Sequence, residues 1–521
     1  MSTSRKDIEN ALMRGADSLR DTIDAANYKD YVLPLMFVKY LSDTYKEKVE
    51  NLEKEYQGVR LERQKRYLPF TVAEDCSFNS LYEQRYSDNI GQLINMAMRR
   101  IEDDNNQQLA DVMKTTDYNS ENTLGTREHK NAILRELLED LYPLDLRPSQ
   151  IEVKEGEVPA DVIGDAYEYM IGQFASMAGK KAGSFYTPAA VSEIMARIVN
   201  VQPGERVYDP TCGSGSLLIK AAKKENSNQV SIFGQEVNGS SVAMAKMNMY
   251  IHEISDAKIA WGDTLANPMF KDEDGNLLTF DAIVANMPFS KDKWAAGFNP
   301  GGEAVGKGKK EFKMEATLDK YHRFDWGVPP ASKGDWAFLL HMIASASVNG
   351  RIAAVAPHGV LFRGAAEGRI RQRVIEENLL DAVIGLPENL FYGTSIPACI
   401  LVFKKARSEN NVLFIDASGK DENGNLRYKK NKRQNVLETK NIDDIVNAYF
   451  ERKDIDKFSH IATIDEIKEN GYNLNIPRYV DTFEEEELVD IEEVQNNIDR
   501  LKYEIAEAEK QLEKYLRELG L

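Results

Sequence analysis

Asp209-Pro210-Thr211-Cys212-Gly213-Ser214-Gly215-Ser216, running straight into the helical Leu217-Leu218-Ile219-Lys220-Ala221-Ala222, is the stretch whose reading decides the fold. The short apolar run Arg206 to Asp209 precedes it, so the glycines sit at a turn from a strand into a helix. Glycine there lets the backbone approach a ligand closely, and the acid at the strand end can bind a cationic or hydroxyl group. The spacing is not G-x-G-x-x-G and no lysine follows as in a phosphate loop, which disfavours a pyrophosphate. A ligand with a positive centre fits better.

Outward from this turn, short and nearly continuous apolar runs alternate with helical stretches. The candidate strands are Arg206 to Asp209, Val230 to Glu236, Phe280 to Asn286, Gly350 to Pro357, Asp381 to Pro387 and Ala398 to Lys405. Runs of this kind suit strands buried on both faces, and the alternation is the βαβ rhythm of a parallel sheet, so the class is α/β. Before it, residues 1–150 read as helical: Ile8, Leu12, Ala16, Leu19 and Ile23 recur at three- and four-residue steps, and the run from Tyr31 reads as a buried helix with Pro34 near its start. The expected organisation is a helical domain over 1–150, a catalytic domain over 151–440 and a connection over 441–487. A Gly- and Lys-rich insertion near 291–334 breaks the rhythm and reads as a long loop. From 488 to 521, Ile491, Val494, Ile498, Leu501, Ile505, Ala508, Leu512, Tyr515 and Leu519 keep a heptad pattern, read as an arm for a partner.

Composition narrows the function. The chain has 521 residues, 42% hydrophobic and 29% charged, with no run approaching the roughly 20 apolar residues that cross a bilayer. Its first residues, MSTSRKDIENALMRGAD, carry charges throughout and lack the apolar segment of a secretory signal, so a cytoplasmic location is expected. Three scattered cysteines exclude a disulfide framework. The six histidines show no metal-ligand spacing, so no metal is expected. The 84 acidic against 66 basic residues, a net charge of -18, give no footprint of a free-standing nucleic-acid binder.

S-adenosylmethionine is a ligand with a positive centre, and other acids fall where its groups would sit. Glu236 ends the second strand, the usual place to hold ribose hydroxyls, and Asp263 in Trp261-Gly262-Asp263-Thr264 can accept from an adenine amine. Each acid alone is more often a helix cap or turn residue, and it is their order after consecutive strands that points to the ligand. The sharpest motif is Asn286-Met287-Pro288-Phe289-Ser290, at the C-terminal end of a buried strand. It resembles the N-P-P-[FY] motif of amino-methyltransferases. The Asn286 side-chain oxygen and the Met287 carbonyl can both accept from an exocyclic amine, and Phe289 can stack on a base that has left its duplex.

With these motifs in order, the chain resembles the modification (methylation) subunits of type I restriction-modification systems, adenine-specific DNA methyltransferases. The order Gly183-Ser184-Phe185-Tyr186-Thr187-Pro188, DPTCGSGS, GQE, GDT and NMPFS follows that family. YKDYVLPLMFVKYLSD, LPENLFYGTSIPACILVF and NLNIPRYV extend the likeness over most of the chain. The resemblance implies a Rossmann-like class I methyltransferase domain between an all-helical N-terminal domain and a long C-terminal helix. It implies that Ser184, Phe185, Tyr186, Thr187, Pro188 and Ala189, with Asp209, Thr211, Gly213, Ser214, Gly215, Ser216, Glu236 and Asp263, hold S-adenosylmethionine. Asn286, Met287, Pro288 and Phe289 would hold the target adenine. It also implies a separate specificity subunit, with two modification subunits to each, a restriction subunit, and double-stranded DNA from which the adenine is flipped, which answers the acidic net charge.

Two features depart from expectation. Met287 stands where the family usually has proline, which removes rigidity from the turn while leaving the backbone carbonyl that does the work. The segment after the catalytic strands is too short and too helical for a DNA-recognition domain. Within the insertion, Lys291, Lys293, Lys307, Lys309, Lys310 and Lys313 interleave with Trp294, Phe298 and Phe312, a composition suited either to embracing a flipped strand or to a solvated loop. Two rival functions stand beside this one. A glutamine-modifying protein methyltransferase shares the Asn-Pro-Pro logic, against which Phe289 and the large helical domain argue; a module that binds cofactor and complex without methylating is the other.

Overall fold

The computed structural model describes residues 2–179, 186–223, 229–299, 304–305, 311–392, 394–431, 434–481 and 491–518. Eleven strands occur among them: β1 (Arg206–Asp209), β2 (Ser231–Glu236), β3 (Lys258–Trp261), β4 (Phe280–Asn286), β5 (Ala304–Val305), β6 (Glu311–Phe312), β7 (Ala346–Pro357), β8 (Leu380–Gly385), β9 (Ala398–Lys404), β10 (Asn411–Asp416) and β11 (Ser459–Thr463). Nine of them form one sheet in the order β11-β10-β8-β9-β7-β4-β1-β2-β3, with β5 and β6 a separate pair. Only β9 and β11 pair antiparallel to their neighbours in that sheet. From β1 the order runs through β2 and β3 to one side and through β4 and β7 to the other. The crevice beyond the C-terminal ends of β1 and β4 is therefore the switch point, where open parallel sheets place their ligands.

Period-2 alternation explains the burial on both faces. Val207, Ala282, Val284, Ala353 and Val355 point into one apolar cluster, while Tyr208, Ile283, Ala285, Ile352 and Ala354 point into the other. Met287 continues the second set just past the end of β4 and is buried.

The helical region preceding the sheet is held by local signals first. Ser4 caps the helix Arg5–Asp17 by a capping box with Asp7, and Ile8, Leu12 and Ala16 are buried along one face. The helix Tyr28–Glu55 is buried on all sides from Tyr31 to Thr44, with Pro34 inside it. An isolated parallel bridge between Thr3 and Ile151 ties the start of this region to its end. Its helices pack on the helix Gly239–Ile251, which follows β2, through Ala243, Met244, Met247, Tyr250 and Ile251. The contact is close: a Cβ on Gly164 would lie 2.1 Å from the His252 ring. Polar ties reinforce it, with Lys246 Nζ donating to the Ala110 carbonyl at 2.7 Å and Ser240 Oγ donating to Asp30.

The structure corrects three sequence expectations. The stretch from 441, expected as a connection, supplies most of the helix Thr439–Glu451, the edge strand β11 and the helix Ile464–Glu469. The chain up to Val480 packs as one unit, with Asp481–Leu521 a second. Strands β3, β10 and β11 were not foreseen: β3 has only four residues, β11 has five of which three are polar, and the apolar core of β10 is the four residues Val412 to Ile415. Finally, the insertion near 291–334 is an irregular but partly packed segment. Trp294 is 1% exposed against Phe324, its indole N–H given to the Pro330 carbonyl, so it offers no platform for a base. Lys307, Lys309 and Lys310 lie outside the described residues.

The second unit contains the helix Ile491–Glu518. Ile498, Leu501, Ile505, Leu512 and Tyr515 are each at least 41% exposed along it.

Candidate active site

The turn after β1 is shaped by two residues in the left-handed region, Gly213 at φ 53° and Gly215 at φ 77°, where a side chain would be strained. Space at Gly215 is also tight: a Cβ would lie 3.0 Å from Met249 Cε, so that methyl would have to shift by a few tenths of an ångström. The Gly213 N–H donates to Glu236 Oε2 at 3.1 Å, and the Asn238 N–H donates to Glu236 Oε1 at 2.8 Å. One buried carboxylate thus joins the ends of β1 and β2. Asp209 is 2% exposed and accepts from the Thr211 N–H at 2.8 Å. Burial pushes its carboxyl up to about 8, with the nearby Glu236 charge acting in the same direction. Burial likewise raises the Glu236 carboxyl.

Asp263 has the turn-capping role its residue type suggests, accepting at Oδ1 from the Leu265 and Ala266 N–H groups at 2.9 and 3.2 Å. Thr264 Oγ1 donates to the Pro210 carbonyl at 2.6 Å, so this turn is tied directly to the glycine turn.

The decisive contact joins the outer parts of the sequence. Asn286 Nδ2 donates to Thr187 Oγ1 at 3.1 Å, across a separation of 99 residues. Tyr186, Thr187, Asp209, Thr211, Gly213, Ser214, Ser216 and Asn286 line one narrow cleft with Cys212 and Leu217. Gly215 belongs to that turn and Glu236 accepts from it at Gly213, Pro188 caps the helix Ala189–Val199 of which Ala189 is the first residue, and Ser184 and Phe185 lie outside the described residues. Pro288 is exposed, and Phe289 is half-buried with its ring 6.0 Å from that of Phe391 at an interplanar angle of 66°. A larger cavity of about 940 Å³, between helices and lined by Asp43, Glu50, Glu74 and Asp75, contains none of these residues.

Other residues at the site were missed by sequence reasoning. Arg323, in the insertion, is fully buried on Asp319 and donates to the Thr264 and Leu265 carbonyls at 3.3 and 2.6 Å, fastening the turn that carries Asp263. Its only signal was an Asp–Arg pair four residues apart. Phe391 meets Phe289, and Tyr392 meets Tyr186 at 5.7 Å; both belong to LPENLFYG, quoted above only for its likeness. Asp335, buried under Ser290, had no signal at all.

A family model described as N-6 DNA Methylase matches residues 158–488, and one described as HsdM N-terminal domain matches residues 8–141. The chain belongs to the N-6 DNA methylase family. Within it, this methylase is 32% identical to the type I restriction enzyme MjaVIII methylase subunit of Methanocaldococcus jannaschii, over 98% of this chain and 84% of that protein. It is also 32% identical to the MpnII methylase subunit of Mycoplasma pneumoniae, over 99% and 96%. Among solved structures, the methyltransferase subunit of a type I restriction-modification system from Streptococcus thermophilus superposes with a TM-score of 0.77 and 36% identity, covering 92% of this methylase and 100% of that chain. The methylase is thus an adenine-N6 DNA methyltransferase of the type I restriction-modification class. No helix among its described residues is long and apolar enough to cross a membrane.

Proposed function

We propose that the cleft beside the glycine turn holds S-adenosylmethionine and that Asn286 to Phe289 present the exocyclic amine of a flipped adenine to it. The observation that carries this reading is the hydrogen bond from Asn286 Nδ2 to Thr187 Oγ1, which turns the amide so that its oxygen is the end left to accept from the base. The residues fit the cofactor. Two positive-φ glycines bring the backbone to the cleft, Glu236 is anchored to the turn by its Gly213 contact, and Asp209 offers a carboxyl to a cationic group. Tyr186, Thr187, Thr211, Ser214 and Ser216 complete the lining on this reading, with Pro188, Ala189, Gly215 and Asp263 supporting it, and Ser184 and Phe185 are assigned to the cofactor by their likeness to the family alone.

When bound, S-adenosylmethionine supplies an electrophilic methyl group on a sulfonium. The chain positions and desolvates. Asn286 Oδ1 and the Met287 carbonyl accept from the two amine hydrogens, freeing the nitrogen lone pair from the ring, while Phe289 stacks on the base. No side-chain base is required, because the proton leaves the methylated, cationic nitrogen for solvent. A specificity subunit that reads DNA, two methylases to each, and a restriction subunit complete the assembly, with the exposed apolar stripe of Ile491–Glu518 as the docking arm. A cytoplasmic location suits this substrate.

The test is transfer of labelled methyl from S-adenosylmethionine to DNA, by the chain alone and by the chain co-expressed with its specificity subunit. N6-methyladenine only in the second case is expected. Methylation by the chain alone would sink the separate-recognition reading, and none in either case would sink the catalytic one.

A further inference from the structure

We infer that Asp335 is a positioning residue for methyl transfer, holding the turn Asn286 to Ser290 in place from behind. The inference rests on the reading of that turn as the holder of the target base. Ser290, the residue after Phe289, has φ 52°, a left-handed conformation that a residue with a Cβ adopts only against a steric cost. Its N–H donates to Asp335 Oδ1 at 2.6 Å. Asp335 is completely buried, at the first residue of the helix Asp335–Ala344, yet this bond runs to the catalytic turn and not to its own helix.

The acceptor is itself held. Arg363 Nη1 donates to Asp335 Oδ2 at 2.8 Å and to Glu367 Oε1 at 3.1 Å. Gly359 leaves the space for that guanidinium, since a Cβ there would lie 2.3 Å from Arg363 Nη2. One residue further along the turn, the Gly334 N–H donates to the Lys291 carbonyl at 3.0 Å. The start of one helix therefore grips the turn at two successive residues.

This grip has a specific use here. The usual proline at position 287 would lock one backbone angle of the turn; Met287 does not, and contributes a buried side chain on one sheet face instead. Asp335 supplies the missing constraint from the C-terminal side of the turn. The groups that must meet the amine are the Asn286 oxygen and the Met287 carbonyl, so slack at Ser290 moves the acceptors and the Phe289 ring together, and a shift of about 1 Å can cost about a hundredfold in rate.

The experiment uses the assembled complex with its specificity subunit, acting on chromosomal DNA from cells in which the methylase gene is disrupted. Asp335→Ala is expected to lower kcat about 20- to 100-fold, with the dissociation constant for S-adenosylmethionine and the KM for DNA each within about threefold. Asp335→Asn, which keeps a carbonyl oxygen for the Ser290 N–H, is expected to restore kcat to within about fivefold of the parent. Because the alanine variant leaves Arg363 without one of its carboxylates, the triple variant Asp335→Leu, Arg363→Met and Glu367→Leu is made beside it, an apolar replacement of the whole buried ion group. It is expected to melt like the parent and to lose kcat like the alanine variant. Either acceptor-free variant keeping kcat within about twofold, or losing cofactor affinity in step with kcat, overturns the inference. Asn286→Ala is run in parallel: if it still methylates, the base-holding reading itself falls, whereas if it is inactive and Asp335→Ala is not, only the positioning role falls.

Discussion

Asn286 closes β4, and its amide nitrogen donates to Thr187, which on the proposed reading leaves the oxygen for the base. Losing the amide removes one wall of the cleft and its tie to Thr187, but the turn from Asp209 to Leu217 is held by its own contacts with Thr211 and Glu236, so most of the lining survives. Asn286→Ala is therefore expected to cut kcat about 10²- to 10³-fold while S-adenosylmethionine binding stays within about twofold, as measured by single-turnover methylation and calorimetry. Equal loss of both would remove the assignment. Asp209 makes a second prediction at this scale. Its carboxyl, pushed up to about 8 by burial, is protonated in the free chain at neutral pH. A cationic ligand beside it favours the carboxylate, so binding releases a proton, and affinity should rise with pH towards about 8 and level off above it. Calorimetry in buffers of different ionisation enthalpy reads that proton; a pH-independent affinity would show that Asp209 does not face the positive centre.

Among elements, the helix Gly239–Ile251 connects the two halves of the molecule. It starts immediately after the residues that bond Glu236, and its other face belongs to the core of the N-terminal helices. That packing has little tolerance at Gly164, where any Cβ must displace the fully buried His252 ring. Gly164→Ala is expected to destabilise the chain by about 1–3 kcal/mol, seen as a lower midpoint in thermal or denaturant unfolding. An unchanged midpoint would mean that the interface can slide. The insertion shows the same principle from the other side: its lysines and aromatics suited either a loop embracing a flipped strand or a solvated loop, but among its described residues Trp294, Phe324 and the Arg323–Asp319 pair are buried.

For the whole molecule, a net charge of -18 sets the main constraint. Such a chain repels DNA at long range, a cost that the proposed specificity subunit would offset. Residues up to Val480 form a unit of their own, while the helix Ile491–Glu518 exposes its apolar stripe. Deleting 488–521 is expected to abolish co-purification with the specificity subunit and to leave the melting temperature within about 2 °C of the parent, since the unit up to Val480 carries its own apolar clusters. A truncated chain that still assembles would assign the helix another role.

Read alone, the sequence determined the α/β class, the strand that leads into the glycine turn and the identity of the motif at the end of β4. These are local signals: apolar runs, glycine where the backbone turns, and acids at strand ends are each written within a few neighbouring residues. The heptad stripe was legible for the same reason. Only the tertiary structure decided that Thr187 meets Asn286, that Asp335 and Arg363 stand behind Ser290, and that Arg323 fastens the turn of Asp263. Each of those contacts joins segments dozens of residues apart, and an isolated Thr, Asp or Arg carries no pattern that announces its partner. Register and layer packing bring them together, and those are properties of the folded sheet rather than of any one stretch of chain.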